Sequence, residues 1–74
     1  VDELDPTFPK WEQIRDRIAA DIAAGRLKSG DQVPSAAALV ERYGVAMATA
    51  QKALAALKRD GLVRSQNGIG TFVL

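Results

Sequence analysis

The sequence predicts a mainly α domain closed by a small β-hairpin, three helices followed by a wing-like ribbon, and three observations carry that expectation. Large apolar side chains recur at helical spacing from Trp11 onward, a glycine stands at the end of each helical run (Gly25, Gly44, Gly61), and beyond Leu62 two short strand-compatible runs flank Asn67-Gly68.

In the first run Trp11, Ile14, Ile18 and Ile22 step by three, four and four, which puts them on one face of a helix over residues 10–24. Pro9 precedes this helix and Gly25 follows it, the usual punctuation at the two ends. Ser29-Gly30-Asp31 then marks a turn, and Val33-Pro34 is too short for more than an extended bridge. Ser35 is placed to cap a second helix over residues 36–43, where Leu39, Val40 and Tyr43 cluster and Gly44 ends the run. A third helix is expected over residues 46–60, with Ala50, Ala53, Leu54 and Leu57 inward and Met47, Ala48, Gln51, Lys52 and Lys58 outward. The strands are expected over residues 62–66 and 70–74, antiparallel, because Asn-Gly accepts the positive φ of a tight turn. Residues 1–8, acidic and proline-containing, read as a flexible N-terminal arm, leaving residues 9–74 as the domain.

Composition narrows the chemistry. The 74 residues contain no Cys and no His, which removes disulfide scaffolds, Cys/His zinc sites and thiol or imidazole catalysis. Thirteen residues are alanine, so the apolar fraction of 47% overstates the core, and nearly every larger side chain must face inward. No run of 18 apolar residues exists to span a membrane, and the first nine residues lack the basic start of a signal peptide. The chain begins at Val1 rather than methionine and reads as a processed or excised piece of a soluble protein. Its formal charge of +1 hides an asymmetry: residues 1–41 carry five basic and eight acidic groups, whereas residues 42–74 carry five basic and one acidic. A cationic second half points toward nucleic acid.

Two helices joined by a short turn at Gly44 form the constellation that fits this charge. In a helix-turn-helix the first helix crosses the phosphate backbone while the second presents its early side chains to base edges in the major groove. The exposed early positions here are Met47, Ala48, Thr49, Gln51 and Lys52.

From Phe8 to Leu74 the chain resembles the winged helix-turn-helix domain of the GntR family of bacterial transcription regulators. The matching stretches are Gly25-Arg26-Leu27 with Gly30-Asp31, Val33-Pro34-Ser35, Leu39, Tyr43-Gly44-Val45, Thr49, Ala53-Leu54, Leu57, Gly61-Leu62-Val63-Arg64 and Gly68-Ile69-Gly70-Thr71-Phe72-Val73. The last stretch, closing a hairpin after Gly-Leu-Val, is the sharpest. This resemblance implies a DNA-binding set of Ser35, Met47, Ala48, Thr49, Gln51, Lys52, Arg64, Asn67, Gly68 and Gly70, with the third helix in the major groove and the wing in the neighbouring minor groove. It also implies double-stranded DNA as partner, a repressor's role, a homodimer on a palindromic site, and residence with the bacterial nucleoid. No cofactor, metal or membrane is implied.

The departures from that family pattern carry information of their own. Ala36-Ala37-Ala38 stand where the family usually has Glu-Arg-Glu, Ala46-Met47 where it has Ser-Arg, and Gln51 where a further arginine is customary. Three usual arginine contacts are therefore absent, at Ala37, Met47 and Gln51. Gln51 can pair bidentately with adenine and Met47 or Ala48 can touch a thymine methyl, so a site richer in A·T beneath this helix is expected. Thr49 is placed for a phosphate or edge contact and Lys52 for a phosphate. Arg42, Lys52, Lys58, Arg59 and Arg64 make up the phosphate-binding set, with Lys58 and Arg59 also suited to the negative end of the helix dipole.

Enzyme chemistry is not expected. The carboxylates of Asp2, Glu3, Asp5, Glu12, Asp16 and Asp21 lie on the arm or a helix surface rather than paired in a cleft, and Ser29, Ser35 and Ser65 have no histidine base. The alternative is a winged-helix protein-interaction module, in which the lost arginines have turned the reading face into a docking surface.

Overall fold

A computed structural model describes residues 3–66 and 68–74. The order is α1 (Lys10–Ala23), α2 (Ala36–Tyr43), α3 (Met47–Arg59), β1 (Val63–Gln66) and β2 (Gly70–Val73). Each element falls within a residue of its expected bounds.

Helix α1 starts after Pro9, whose carbonyl accepts the Gln13 N–H at 3.3 Å, and ends where Ala24 N–H returns to Ala20 O at 2.9 Å. Ile14 and Ile18 are buried and Trp11 and Ile22 pack against the core from its edge, which is the stripe read from the sequence. Helix α2 is capped as expected: Ser35 Oγ accepts the Ala38 N–H at 3.1 Å. Its far end closes on Gly44, which holds φ at 66° and sends its N–H to Val40 O at 2.8 Å. Only glycine takes that left-handed geometry without steric cost.

Alanine dominates the inner face of α3. Ala50, Ala53 and Ala56 are buried beside Leu57, while Leu54, expected inward, packs half-buried at the edge of the core. Side chains this small let α1 and α2 both approach α3 closely, since the distance between packed helix axes is set by the residues at the contact. Three of the thirteen alanines, Ala50, Ala53 and Ala56, thus serve helix packing.

The hairpin is antiparallel, with Val63 opposite Val73, Arg64 opposite Phe72, Ser65 opposite Thr71 and Gln66 opposite Gly70. The extended bridge read at Val33-Pro34 has a larger role than its length suggested. Gln32 pairs with Phe72 on the other edge of β2, Val33 N–H donates to Thr71 O at 2.9 Å, and Val73 N–H donates to Asp31 O at 2.8 Å. A single rung has no alternation for the sequence to display. Val33, Val63 and Val73 are all buried and fasten the base of the wing to the helices.

Where the sequence reads as a flexible arm, residues 3–8 are tied to α1. Gln13 accepts the Asp5 N–H at 2.8 Å and donates back to Asp5 O at 2.7 Å and Phe8 O at 3.2 Å. Arg17 donates to Glu3 O at 2.9 Å, and Leu4 rests against the core. Among the described residues, no helix is long and apolar enough to cross a membrane.

Candidate nucleic-acid interface

Gly44, Val45 and Ala46 connect α2 to α3, and the buried Val45 anchors this turn in the core. Ala46 takes the N-cap position of α3 with extended geometry, φ −68° and ψ 153°, but has no side-chain oxygen for the first amides. The opening turn of α3 therefore presents backbone N–H groups, Met47 at 45% exposure, exposed Ala48 and half-buried Thr49.

Gln51 and Lys52 diverge, as adjacent helical residues must. Gln51 faces the wing, where it lines a cleft with Leu54, Ala55, Lys58, Ser65 and Thr71. Lys52 faces α1, with its Nζ 4.8 Å from the centre of the Trp11 ring, and the Arg15 guanidinium lies 5.3 Å from the same ring. A cation over an indole face is attracted by the ring quadrupole and is held in a defined place.

The wing residues divide similarly. Arg64 lies along the ribbon, its guanidinium 5.7 Å from the Phe72 ring and donating to the Gln66 side-chain carbonyl. Gly68 is exposed at the tip, and a Cβ there would meet nothing within 4 Å. Gly70 has a structural reason of its own. Its φ is 146°, and a Cβ would stand 2.5 Å from Gln32 Nε2, the amide that reaches over to Ile69 O at 3.4 Å. Asn67, the remaining wing residue in the expected set, lies outside the described residues. Ser35 stands at the start of α2 with its oxygen engaged by the Ala38 amide, and its hydroxyl proton is still available to an acceptor.

Among the expected phosphate-binding cations, Arg42 stacks 5.4 Å from the Tyr43 ring and Arg59 sits 3.6 Å from Asp60. Lys58 is exposed beside the wing. Sequence reasoning did not bring Ser65, Thr71 and Ala55 into the site. Ser65 and Thr71 are cross-strand partners on the face that continues outward from buried Val63 and Val73. That pairing is the one the expected strand bounds imply; the approach of this face of the ribbon to α3 is what the sequence did not show.

Comparison with known proteins agrees with the fold that carries these residues. Residues 10–73 match the family described as bacterial regulatory proteins, gntR family. The mannosyl-D-glycerate transport/metabolism system repressor MngR of Escherichia coli (strain K12) is 42% identical over 65 residues, covering 88% of this chain and 27% of that protein. The histidine utilization repressor of Klebsiella aerogenes is 35% identical over 65 residues, with the same two shares, 88% and 27%. The chain thus spans about a quarter of the length of these relatives. Among solved structures, the DNA-binding domain of AraR in complex with operator ORX1 superimposes with a TM-score of 0.92 at 30% identity, covering 100% of this chain and 96% of that one. YtrA from Sulfolobus acidocaldarius, a GntR-family transcription factor, gives 0.79 at 38% identity, over 85% of this chain and 66% of that one.

Proposed function

The chain belongs to the gntR family of bacterial regulatory proteins, a family of regulators and not of enzymes, and from that membership we propose that it binds double-stranded DNA to repress transcription. Helix α3 enters the major groove from its N-terminal turn, and the wing tip around Gly68 reaches the adjoining minor groove. The observation that carries this reading is the coincidence, over the whole chain, of its fold with a DNA-binding domain solved on its operator. The exposure of Met47, Ala48 and Gln51 at the start of α3 supports it, since early positions of the second helix meet base edges in a helix-turn-helix.

In this reading Gln51, Met47 and Ala48 read A·T-rich positions, Thr49, Lys52, Arg64 and Ser35 contact the backbone, and Asn67, Gly68 and Gly70 shape or touch the wing contact. Two copies bind a palindromic site, each on one half, because one domain lacking the usual arginines holds DNA weakly. The protein works in the cytoplasm, at the nucleoid.

Titration of labelled duplex DNA at several salt concentrations tests the proposal. With three or four phosphates neutralised per domain, log affinity falls with log salt at a slope of about −3 to −4. Selection from a randomised duplex library should enrich A·T beneath α3. No binding even at low salt would instead favour a protein-docking surface.

A further inference from the structure

Trp11 is the single tryptophan of the chain, and two cations share its ring. The ring packs against the edge of the core, so its place is fixed by folding. Arg15 stands one helical turn further along α1, on the same face as the indole, with its guanidinium 5.3 Å from the ring centre. Lys52 arrives from α3, which packs along α1, and brings its Nζ to 4.8 Å. The two charges are not equivalent. Arg15 is paired with Asp16 at 2.8 Å and Glu12 at 3.7 Å, so carboxylates both hold it and offset its charge. Lys52 has no carboxylate partner among the described residues, and the indole alone holds it.

We propose that Trp11 is a positioning residue for DNA binding: its ring holds the Lys52 ammonium at the edge of the exposed face of α3, ready for a phosphate of the duplex. The proposal rests on the DNA-binding reading and adds to it a residue of α1 that itself touches no nucleotide. A free lysine side chain loses its rotamer freedom when it docks on a phosphate, and that loss weakens the contact. Here the ring takes up the loss during folding, before a duplex arrives. A carboxylate would order the lysine equally well but would cancel its charge. The pull of the ring quadrupole does not, and it leaves the N–H donors turned away from the ring open to phosphate oxygens. Trp11 therefore orders Lys52 without neutralising it. The expected gain in affinity is about twofold to tenfold, the range for one side chain ordered in advance.

Because the chain has one tryptophan, growth on fluorinated tryptophan alters this ring alone. Ring fluorines weaken the quadrupole stepwise while nearly keeping its shape. Binding is measured at several salt concentrations with a duplex that the 74-residue chain has recovered from a randomised library, where circular dichroism shows every protein folded. Mono-, di- and trifluoro rings at Trp11 should lower affinity in steps, by about twofold to tenfold in all, at an unchanged salt slope because the charge remains. Lys52→Gln should instead lower the magnitude of the slope by about 0.9 and abolish the dependence on fluorine. Affinity indifferent to fluorine, or a fluorine dependence that survives Lys52→Gln, overturns the role of Trp11 and leaves the DNA reading standing. An unchanged slope for Lys52→Gln, with the unsubstituted chain still binding steeply, does the same. Failure of the unsubstituted chain to bind any duplex overturns both.

Discussion

Lys52 Nζ lies 4.8 Å from the centre of the Trp11 ring, linking the outward face of α3 to the first turn of α1. The contact makes the single tryptophan of the chain a reporter on a residue of the candidate interface. Lys52→Met should change Trp11 emission and cost about 0.5–1 kcal/mol in urea unfolding, the range for an exposed cation–π pair. Adding duplex DNA should change Trp11 emission in the unsubstituted chain more than in Lys52→Met. Emission indifferent to the substitution would mean that the pair does not persist in solution.

Ala46 has the backbone geometry of an N-cap and no oxygen to act as one. Ala46→Ser should therefore stabilise the domain by about 1 kcal/mol, seen as a higher urea midpoint with an unchanged m-value. Removing the cap that does exist, Ser35→Ala, should cost a similar amount. Amide exchange at Met47 to Thr49 should be faster than in the middle of α1, and Ala46→Ser should slow it.

Gly70 meets two constraints at once, a φ of 146° and the nearby Gln32 amide. The amide is the far end of a flexible side chain and can swing aside, whereas the backbone angle cannot be relieved locally. Gly70→Ala should cost about 1–3 kcal/mol, and adding Gln32→Ala should recover only a minor part of that loss. Thermal unfolding of the single and double variants separates the two terms.

Ile18 is 4% exposed at the centre of the α1 stripe. Ile18→Ala should cost about 2–5 kcal/mol, enough to leave so small a domain largely unfolded. Circular dichroism at 25 °C checks this directly, and Ile18→Val, at about 0.5–1.5 kcal/mol, should retain the fold.

Asp5 accepts hydrogen bonds from the Thr7 hydroxyl at 2.6 Å and the Thr7 amide at 2.9 Å, the hydroxyl bond being the larger influence, and these hold its carboxyl below its ordinary pKa. A folded-state value below the unfolded one stabilises the turn above the ordinary aspartate range, and that contribution is lost as pH falls through the lowered value. The Thr7 amide resonance should shift over that acidic range, and Thr7→Ala should move the midpoint back toward that of free aspartate.

Much of this arrangement was legible in the sequence because it rests on local signals. The Ser35 cap and the stop at Gly44 each involve residues within a turn or so of one another, and the Trp11–Ile22 stripe repeats in steps of three or four. Outward positions such as Met47 and Gln51 follow from the same period. What escaped the sequence is contact that no repeating pattern announces. Gln32 meets Phe72 far along the chain, Gln13 clasps Asp5 in the segment before α1, and the Ser65–Thr71 pair, whose register the expected strand bounds imply, approaches α3. The cleft combines both kinds of information, since each wall was readable by itself and their approach was not.

Because β2 is hydrogen-bonded on both flanks, by β1 and by residues 31–33, the ribbon is mounted like a hinge pin gripped from two sides. Peeling the tip sideways would break bonds on one flank or the other, so a torque applied at Gly68 is passed down to the connection between α1 and α2. A duplex that displaced the wing would thereby tug on the segment leading into Ser35, coupling the two ends of the footprint mechanically even though they are far apart along the chain.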